Sequence, residues 1–311
     1  MQTLWTDDKV AEALAWPAVL QAIEAGFAHK DSFQLPERVI ISGPRQSSYL
    51  TMPCSDAAGW FGVKQVAVIP ENVARGKPTV QAHYTLFDPE GSMAVSAEAT
   101  LMTRMRTAAS SAVAAKYLAP EAAQTLLLVG TGSLAPWMAE AHMQVRDYQQ
   151  LQWWGRRPEA AQAAVAQLRE RLAAAGATIP KITVVEDLAA AVQAADVISV
   201  ATTAQQPIIR GEWLRAGQHL DLVGAFIPSM AEADPAAVRR ARVFVDDLAG
   251  AEAEAGDLLQ ARAQGWTFDQ VQGTLGDIVA RRAGRHSADD LTLFKSVGVA
   301  LEDLCTAKLL A

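Results

Sequence analysis

Long apolar runs are missing from this sequence. No stretch reaches 18 apolar residues without a charge, so no membrane-spanning helix is expected. Cysteine is scarce. Cys54 and Cys305 are the two present, far apart and in apolar company, which reads as free buried thiols in a reducing compartment. Histidine is limited to His29, His83, His142, His219 and His286. None sits at the short spacing of a zinc pair and neither cysteine is near one in sequence, so no metal site is read. Positive charge is in deficit. With 27 Lys and Arg against 34 Asp and Glu, the formal net charge is −7, and bulk attraction to nucleic acid or to an anionic membrane is not expected. The opening MQTLWTDDKV has no basic stretch followed by an apolar one, so no signal peptide is read. Low-complexity linkers and short-period repeats are absent too. A cytoplasmic protein is expected.

What is present suits about two domains. The chain has 311 residues, 50% of them hydrophobic, enough for a core that needs no disulfides. Pro17 opens a helix whose apolar residues Val19, Ile23 and Phe27 share one face. Short β-rich runs follow at Arg38–Ser42, Tyr49–Met52, Gly62–Val68, Val80–Phe87 and Met93–Ser96. Turn residues separate them, as in Gly43-Pro44 and Asp88-Pro89-Glu90-Gly91, so a largely antiparallel sheet is predicted. Thr100–Leu118 then turns helical. From Thr125–Val129 (TLLLV) onward, strands alternate with helices. The strands are Leu151–Trp154, Ile182–Val185, Val197–Ala201, His219–Val223 and Val243–Asp246. The helices are Pro136–Val145, Pro158–Ala175 and Leu188–Ala194. That alternation predicts an α/β fold with a Rossmann-type doubly wound parallel sheet. The expected division is residues 116–290 for this domain, and 1–115 with 291–311 for an α+β domain with a mainly antiparallel sheet. Leu291–Leu310 is read as one long amphipathic helix that leaves the middle domain and packs back on the first.

Directly after TLLLV comes Gly130-Thr131-Gly132-Ser133-Leu134-Ala135, a GxGxxA before a helix. Gly130 permits the tight turn, Gly132 lets a pyrophosphate approach the backbone, and Ala135 lets helix and strand pack closely. The unpaired N–H groups at the helix start then favour phosphate. These six residues are expected to hold the pyrophosphate of a nicotinamide cofactor. In such folds an acidic residue at the end of the second strand binds the ribose of NAD. Here the segment reads Trp153-Trp154-Gly155-Arg156-Arg157-Pro158. Two guanidiniums replace the carboxylate and suit a phosphate monoester. NADP(H) is therefore the preferred cofactor, with NAD(H) possible. The competing view of Arg156 and Arg157 is a solvated basic pair near a helix start.

Several further segments, in order, resemble the ornithine cyclodeaminase/mu-crystallin family over nearly the whole chain. They are Met52-Pro53; Gly62-Val63-Lys64; Pro70-Glu71-Asn72 with Gly76-Lys77-Pro78; and Thr103-Arg104-Met105-Arg106-Thr107-Ala108-Ala109. After the glycine turn come Ala195-Asp196-Val197-Ile198 with Ala201-Thr202-Thr203, then Leu293-Phe294-Lys295-Ser296-Val297-Gly298 running into Ala300-Leu301-Glu302-Asp303-Leu304. The resemblance implies a homodimer built through the first domain, a substrate pocket between the domains, and a reaction at the α-carbon of a small amino or imino acid. It places Arg38, Lys64 and Arg106 round the substrate carboxylate, with Met52 and Phe226 also at the substrate. Two guanidiniums and an ammonium would fix that carboxylate in orientation. Lys64, beside arginines and partly desolvated, is expected to have a lowered pKa and to exchange protons near neutrality as the catalytic residue. Competing readings are a surface arginine for Arg38 and a pairing of Arg106 with a glutamate such as Glu98. Thr107, Thr202, Val223, Gly224, Ala225 and Lys295 fall on the cofactor side by the same resemblance.

One departure matters. Ornithine cyclodeaminases have an aspartate shortly after the glycine that ends the fifth strand of this domain. Here the segment is Val223-Gly224-Ala225-Phe226-Ile227-Pro228, and Phe226 stands at that position. A phenyl ring neither pairs with an ammonium nor accepts a proton. An NADPH-dependent reductase of a small imino acid, such as a cyclic ketimine of the pyrroline-2-carboxylate type, is the leading expectation. Ornithine cyclodeaminase with bound NAD and with Asp221 as substitute acid, and a non-catalytic binder of NADP and a small ligand, are the alternatives.

Overall fold

The computed structural model describes residues 4–311, apart from the Val73 side chain. The first three residues of the opening segment, on which the absence of a signal peptide was read, lie outside it. The chain divides into two units. The first is Met1–Thr107 with Val299–Ala311, and the second is Ala108–Gly298.

The first unit is built on strands β1 (Phe33–Gln34), β2 (Val39–Ser42), β3 (Ser48–Asp56), β4 (Phe61–Val68), β5 (Val80–Phe87) and β6 (Met93–Glu98). The order is β1-β3-β4-β5-β6, with β2 also on β3, and the pairs are antiparallel. Aspartates close the tight turns. Asp56 Oδ1 accepts the Ala58 and Trp60 N–H groups, and Asp88 Oδ1 accepts those of Glu90 and Ser92, the local bond that favours Asp at such positions. Register lines up Met52 with Lys64 and Lys64 with Tyr84, so these three side chains share one face. The helix Ala300–Ala307 packs on β3, β4 and β5, and on the helix Trp16–Ala28. Helix Trp16–Ala28 starts at Ala15 with Pro17 in its first turn and buries Val19, Leu20, Ile23 and Phe27. Gly26 allows the two helices to approach, since a Cβ there would meet Cys305 Sγ at 2.5 Å.

The second unit holds β7 (Thr125–Val129), β8 (Gln150–Trp154), β9 (Lys181–Val184), β10 (Val197–Val200), β11 (His219–Leu222), β12 (Arg242–Val245), β13 (Gly273–Thr274) and β14 (Thr292–Lys295). The order is β13-β12-β14-β11-β10-β7-β8-β9, and the pairs are parallel. Strands β9 to β11 run in the doubly wound order 3-2-1-4-5, counted from β7 as the first. The α/β reading with one parallel and one antiparallel sheet is thus what the chain forms. Among the described residues no helix is long and apolar enough to cross a membrane.

The expected helix Leu291–Leu310 is corrected. Thr292–Lys295 is a fully buried strand inserted between β11 and β12. Gly298 then takes φ +81°, and helix begins only at Ala300. Parallel neighbours on both sides outweighed the helical spacing of the apolar residues, a contest that local periodicity does not register. The strand β13 and the helices Pro235–Arg240, Leu248–Glu254, Gly256–Arg262 and Leu275–Val279 were not anticipated.

Trp153 is completely buried, and its indole N–H donates to the carbonyl of Gly130 at 2.8 Å. The ring that packs β8 also anchors the glycine turn. Trp153→Phe keeps most of the packing and orphans a buried carbonyl, so it should cost roughly 1–3 kcal/mol. Urea denaturation showing no loss would remove Trp153 as that anchor.

Candidate functional site

Each unit carries a set of buried charges. In the first, Lys64 projects from β4, Arg106 from the helix Thr100–Leu118, and Glu302 and Asp303 from the last helix. Lys64 Nζ donates to Asp303 Oδ2 at 2.7 Å. Arg106 donates through Nε to Asp303 Oδ1 at 3.1 Å and through Nη1 to Glu302 Oε2 at 2.5 Å. None of the four side chains is more than 7% exposed. Two cations and two carboxylates compensate one another, which is what permits ions out of water. Burial lowers the Lys64 pKa to about 8, helped by the Arg106 guanidinium and opposed by Asp303 and Glu302. For Arg106 burial pulls down, but Asp303 and Glu302 outweigh it and hold the guanidinium above its ordinary range. Asp303 takes one of the three ammonium N–H groups of Lys64; the others can serve a ligand oxygen or nitrogen.

Met52 lies in the same row, buried and paired in register with Lys64. Arg38 precedes Val39, whose partner on β3 is Thr51, so Arg38 falls at the end of the Met52–Lys64 row and is half-buried. Thr107 is half-buried beside Arg106 on the helix. Glu98, the suggested partner of Arg106, instead accepts the Asp7 N–H. The partners are Glu302 and Asp303. They stood in the sequence as an acidic pair flanked by leucines, and an acid pair on a stripe bound for a core is the signal that would have found them.

In the second unit Gly130 has φ +127°, and a Cβ there would collide with the Ala201 carbonyl. Gly132 and Ser133 are exposed. A Cβ on Gly132 would meet nothing within 4 Å, so the space beside the turn is open. Thr131 and Leu134 are half-buried, and Ala135, buried, opens the helix Ala135–Val145 with Pro136 behind it. Past β8, Arg156 and Arg157 are exposed.

The ends of β10 and β11 meet at a residue that the sequence reading missed. Glu232 Oε1 accepts from the Thr202 N–H at 2.6 Å and from the Thr202 hydroxyl at 2.9 Å, and Oε2 accepts the Gly224 N–H at 2.6 Å. Asp257 Oδ1 in turn accepts the Glu232 and Ala233 N–H groups at 2.6 and 2.9 Å, and its Oδ2 lies 3.3 Å from Lys295 Nζ. Burial raises the Glu232 pKa to about 7, with Lys295 opposing and Asp257 adding to the rise. Lys295 has no exposed surface. It faces Asp257 and acts on Glu232 through its charge. Val223 and Ala225 are buried, while Phe226 is 48% exposed. Asp221 faces the interior of the unit. The Ser199 hydroxyl donates to its Oδ2 at 2.8 Å, His142 Nε2 lies 3.8 Å away, and burial raises its pKa.

An open glycine turn on a 3-2-1-4-5 parallel sheet, joined in one chain to an antiparallel unit with buried cations, defines a Rossmann-type α/β protein with an added α+β unit. The model of the ornithine cyclodeaminase/mu-crystallin family matches residues 2–311, and the chain belongs to that family. It is 36% identical over 307 residues to a delta(1)-pyrroline-2-carboxylate reductase of Paracoccus denitrificans, covering 96% of this chain and 92% of that protein. Its fold matches that of the Thermococcus litoralis delta(1)-pyrroline-2-carboxylate reductase in complex with NADH and L-proline. The TM-score is 0.92, with 31% identity over 99% of this chain and 96% of the other. An archaeal alanine dehydrogenase dimer with bound NAD matches at TM-score 0.90, with 27% identity over 99% and 94% of the two chains.

Asp303 neutralises both cations, so Asp303→Asn should destabilise the protein by roughly 3–5 kcal/mol, the scale for breaking a buried pair from one side. Adding Lys64→Met should restore part of that loss. Urea melts at pH 7 in which the double variant falls by the sum of the two single losses would show that Lys64 and Asp303 are not coupled.

Proposed function

We propose that the protein is a nicotinamide-dependent reductase that saturates the C=N bond of a small imino acid, with a cyclic ketimine carboxylate of the pyrroline-2-carboxylate type as the substrate class. The observation that carries this reading is the buried Lys64–Asp303–Arg106–Glu302 cluster. It presents an ammonium whose pKa has come down to about 8 next to a fixed guanidinium, the pair of groups an imino carboxylate requires. The relatives named as pyrroline-2-carboxylate reductases support it.

The second unit fits the cofactor. Gly132 leaves room for phosphate at a helix start, where backbone N–H groups favour it. When bound, the reduced dinucleotide supplies the hydride that the imine carbon accepts. The chain's own residues do the rest. Arg106 on its helix, with Arg38 at the end of the Met52–Lys64 row, orients the carboxylate, and Met52 gives that row an apolar member. Lys64 holds a proton at Nζ for the substrate nitrogen, and Asp303 keeps Nζ in place. Thr107, Thr131, Ser133, Leu134, Thr202, Val223, Gly224 and Ala225 flank the cofactor. Arg156 and Arg157 would select NADPH over NADH by holding the 2′-phosphate. The exposed strand β2, with Val39, Ile40 and Ile41 each more than half exposed, supports assembly of two copies, since an apolar sheet edge invites pairing. The free, buried Cys54 and Cys305 suit a cytoplasmic setting.

Phe226 argues against cyclodeamination, because the residue at the expected aspartate position has no charge or proton to offer. Asp221 is no replacement, being enclosed with Ser199 and His142. NADPH oxidation driven by pyrroline-2-carboxylate is expected, with no ammonia from L-ornithine. Both are followed in parallel on one preparation. Ammonia release from ornithine without net change in NADPH would overturn the reductase reading.

Cofactor choice has its own test. Arg156→Ala should weaken NADPH by roughly 1.5–3 kcal/mol, the range for hydrogen bonds to charged groups, and leave NADH nearly unchanged. Titration calorimetry giving equal affinities for the two in the unmutated protein would refute the preference.

A further inference from the structure

The carboxylate of Glu232 has no exposed surface, touches two of the strand ends on which a cofactor would rest, and belongs to none of the motifs that carry the family resemblance. A dinucleotide is two-ended. With its pyrophosphate on the glycine turn after β7 and its adenosine toward Arg156 and Arg157 after β8, the nicotinamide half lies on the other side, over the ends of β10 and β11. Ligands of such sheets bind at the carboxyl ends of the strands where the strand order reverses, and here β7 and β10 flank that point. The ends are in contact. A Cβ on Gly130 would lie 3.2 Å from Thr202 Cγ2, and one on Gly224 would collide with Thr202 backbone and with Glu232.

Three hydrogen bonds from Thr202 and Gly224 converge on Glu232. The charged groups that face it are Lys295 from the end of β14 and Asp257 from the helix Gly256–Arg262. With both carboxylates ionised this set carries a net charge of one negative unit; with Glu232 protonated it is neutral. The Thr202 hydroxyl can turn from donor to acceptor, so both states keep a partner.

We propose that Glu232 is a positioning residue that ties the β10 and β11 ends into the shelf beneath the nicotinamide, and that its charge biases the shelf toward the oxidised, cationic ring over the neutral reduced one. The proposal rests on the reading of the second unit as a dinucleotide site. An oxidised ring gains from a negative charge below it, and a reduced ring does not. Affinity for the oxidised form should therefore rise relative to the reduced form as Glu232 loses its proton, in a window centred near pH 7. Below that window the shelf is neutral, and the oxidised product of a reduction leaves more readily.

The test measures dissociation constants for NADP⁺ and NADPH, without substrate, by fluorescence titration between pH 6 and 8. The ratio of the two cancels titration of the shared 2′-phosphate. In the unmutated protein the ratio should shift toward NADP⁺ by about fivefold or more, the scale of one added charge at close range in a partly polar site. The shift should persist in Lys64→Met, which removes a second group whose pKa is brought toward this range. It should flatten in Glu232→Gln. A ratio constant within twofold in the unmutated protein overturns the proposal whether or not the Gln variant folds, as does a shift that vanishes in Lys64→Met or survives in Glu232→Gln. If the unmutated protein binds neither, the same ratio is measured with NAD⁺ and NADH, and failure to bind that pair as well overturns the dinucleotide reading itself, and the proposal with it.

Discussion

An ion leaves water only if opposite charge or hydrogen-bond donors and acceptors meet it, and in the first unit the opposite charges shape the packing. Lys64 comes from β4, Arg106 from the helix Thr100–Leu118, and Glu302 and Asp303 from the final helix. Each is nearly or wholly buried, so removing any one leaves a buried charge less well compensated. The pairing fixes where the last helix sits across β3, β4 and β5. Its register is set further by Gly26, whose missing Cβ lets Cys305 come close. The same contacts that hold the helix hold the ammonium and the guanidinium on one carboxylate, that of Asp303.

The second unit solves a similar problem differently. Its buried acids are met mostly by backbone N–H groups. Glu232 takes those of Thr202 and Gly224, Asp257 takes those of Glu232 and Ala233, and Asp246 takes those of Val297 and Gly298 at 2.8 and 2.6 Å. Each carboxylate thus ties loops at the carboxyl ends of the parallel strands, where hydrogen bonding by the sheet has stopped and backbone groups would otherwise be orphaned. A rigid rim on that edge is what a cofactor site requires. The glycine turn is held likewise, with Trp153 donating to Gly130.

Much of this was legible beforehand. Alternating apolar residues and turn signals located β4 and β5 closely, and the apolar run TLLLV marked β7 residue for residue, because period and turn chemistry are local properties. The GxGxxA turn was readable because its spacing is a local pattern, and Gly130 answers a steric demand at the Ala201 carbonyl. Lys64 and Arg106 stood out as cations in otherwise apolar or small-residue stretches. Their partners did not, since Glu302 and Asp303 lie more than 190 positions further along. Glu232 gave no signal at all, being one acid in a loop rich in alanine and proline.

Spacing, glycine and isolated charge act within a few residues, so the alternation of strands and helices, the position of the glycine turn and the cations of the first unit could be read along the chain. Folding had to bring distant segments together before Thr292–Lys295 became a strand and not the start of a helix, before Arg106 answered to Glu302 and Asp303 and not to Glu98, and before Asp221 faced His142 inside the unit. Each of these depends on which distant segment supplies the neighbour, and the energy of burying a charge or completing a sheet is set by that neighbour.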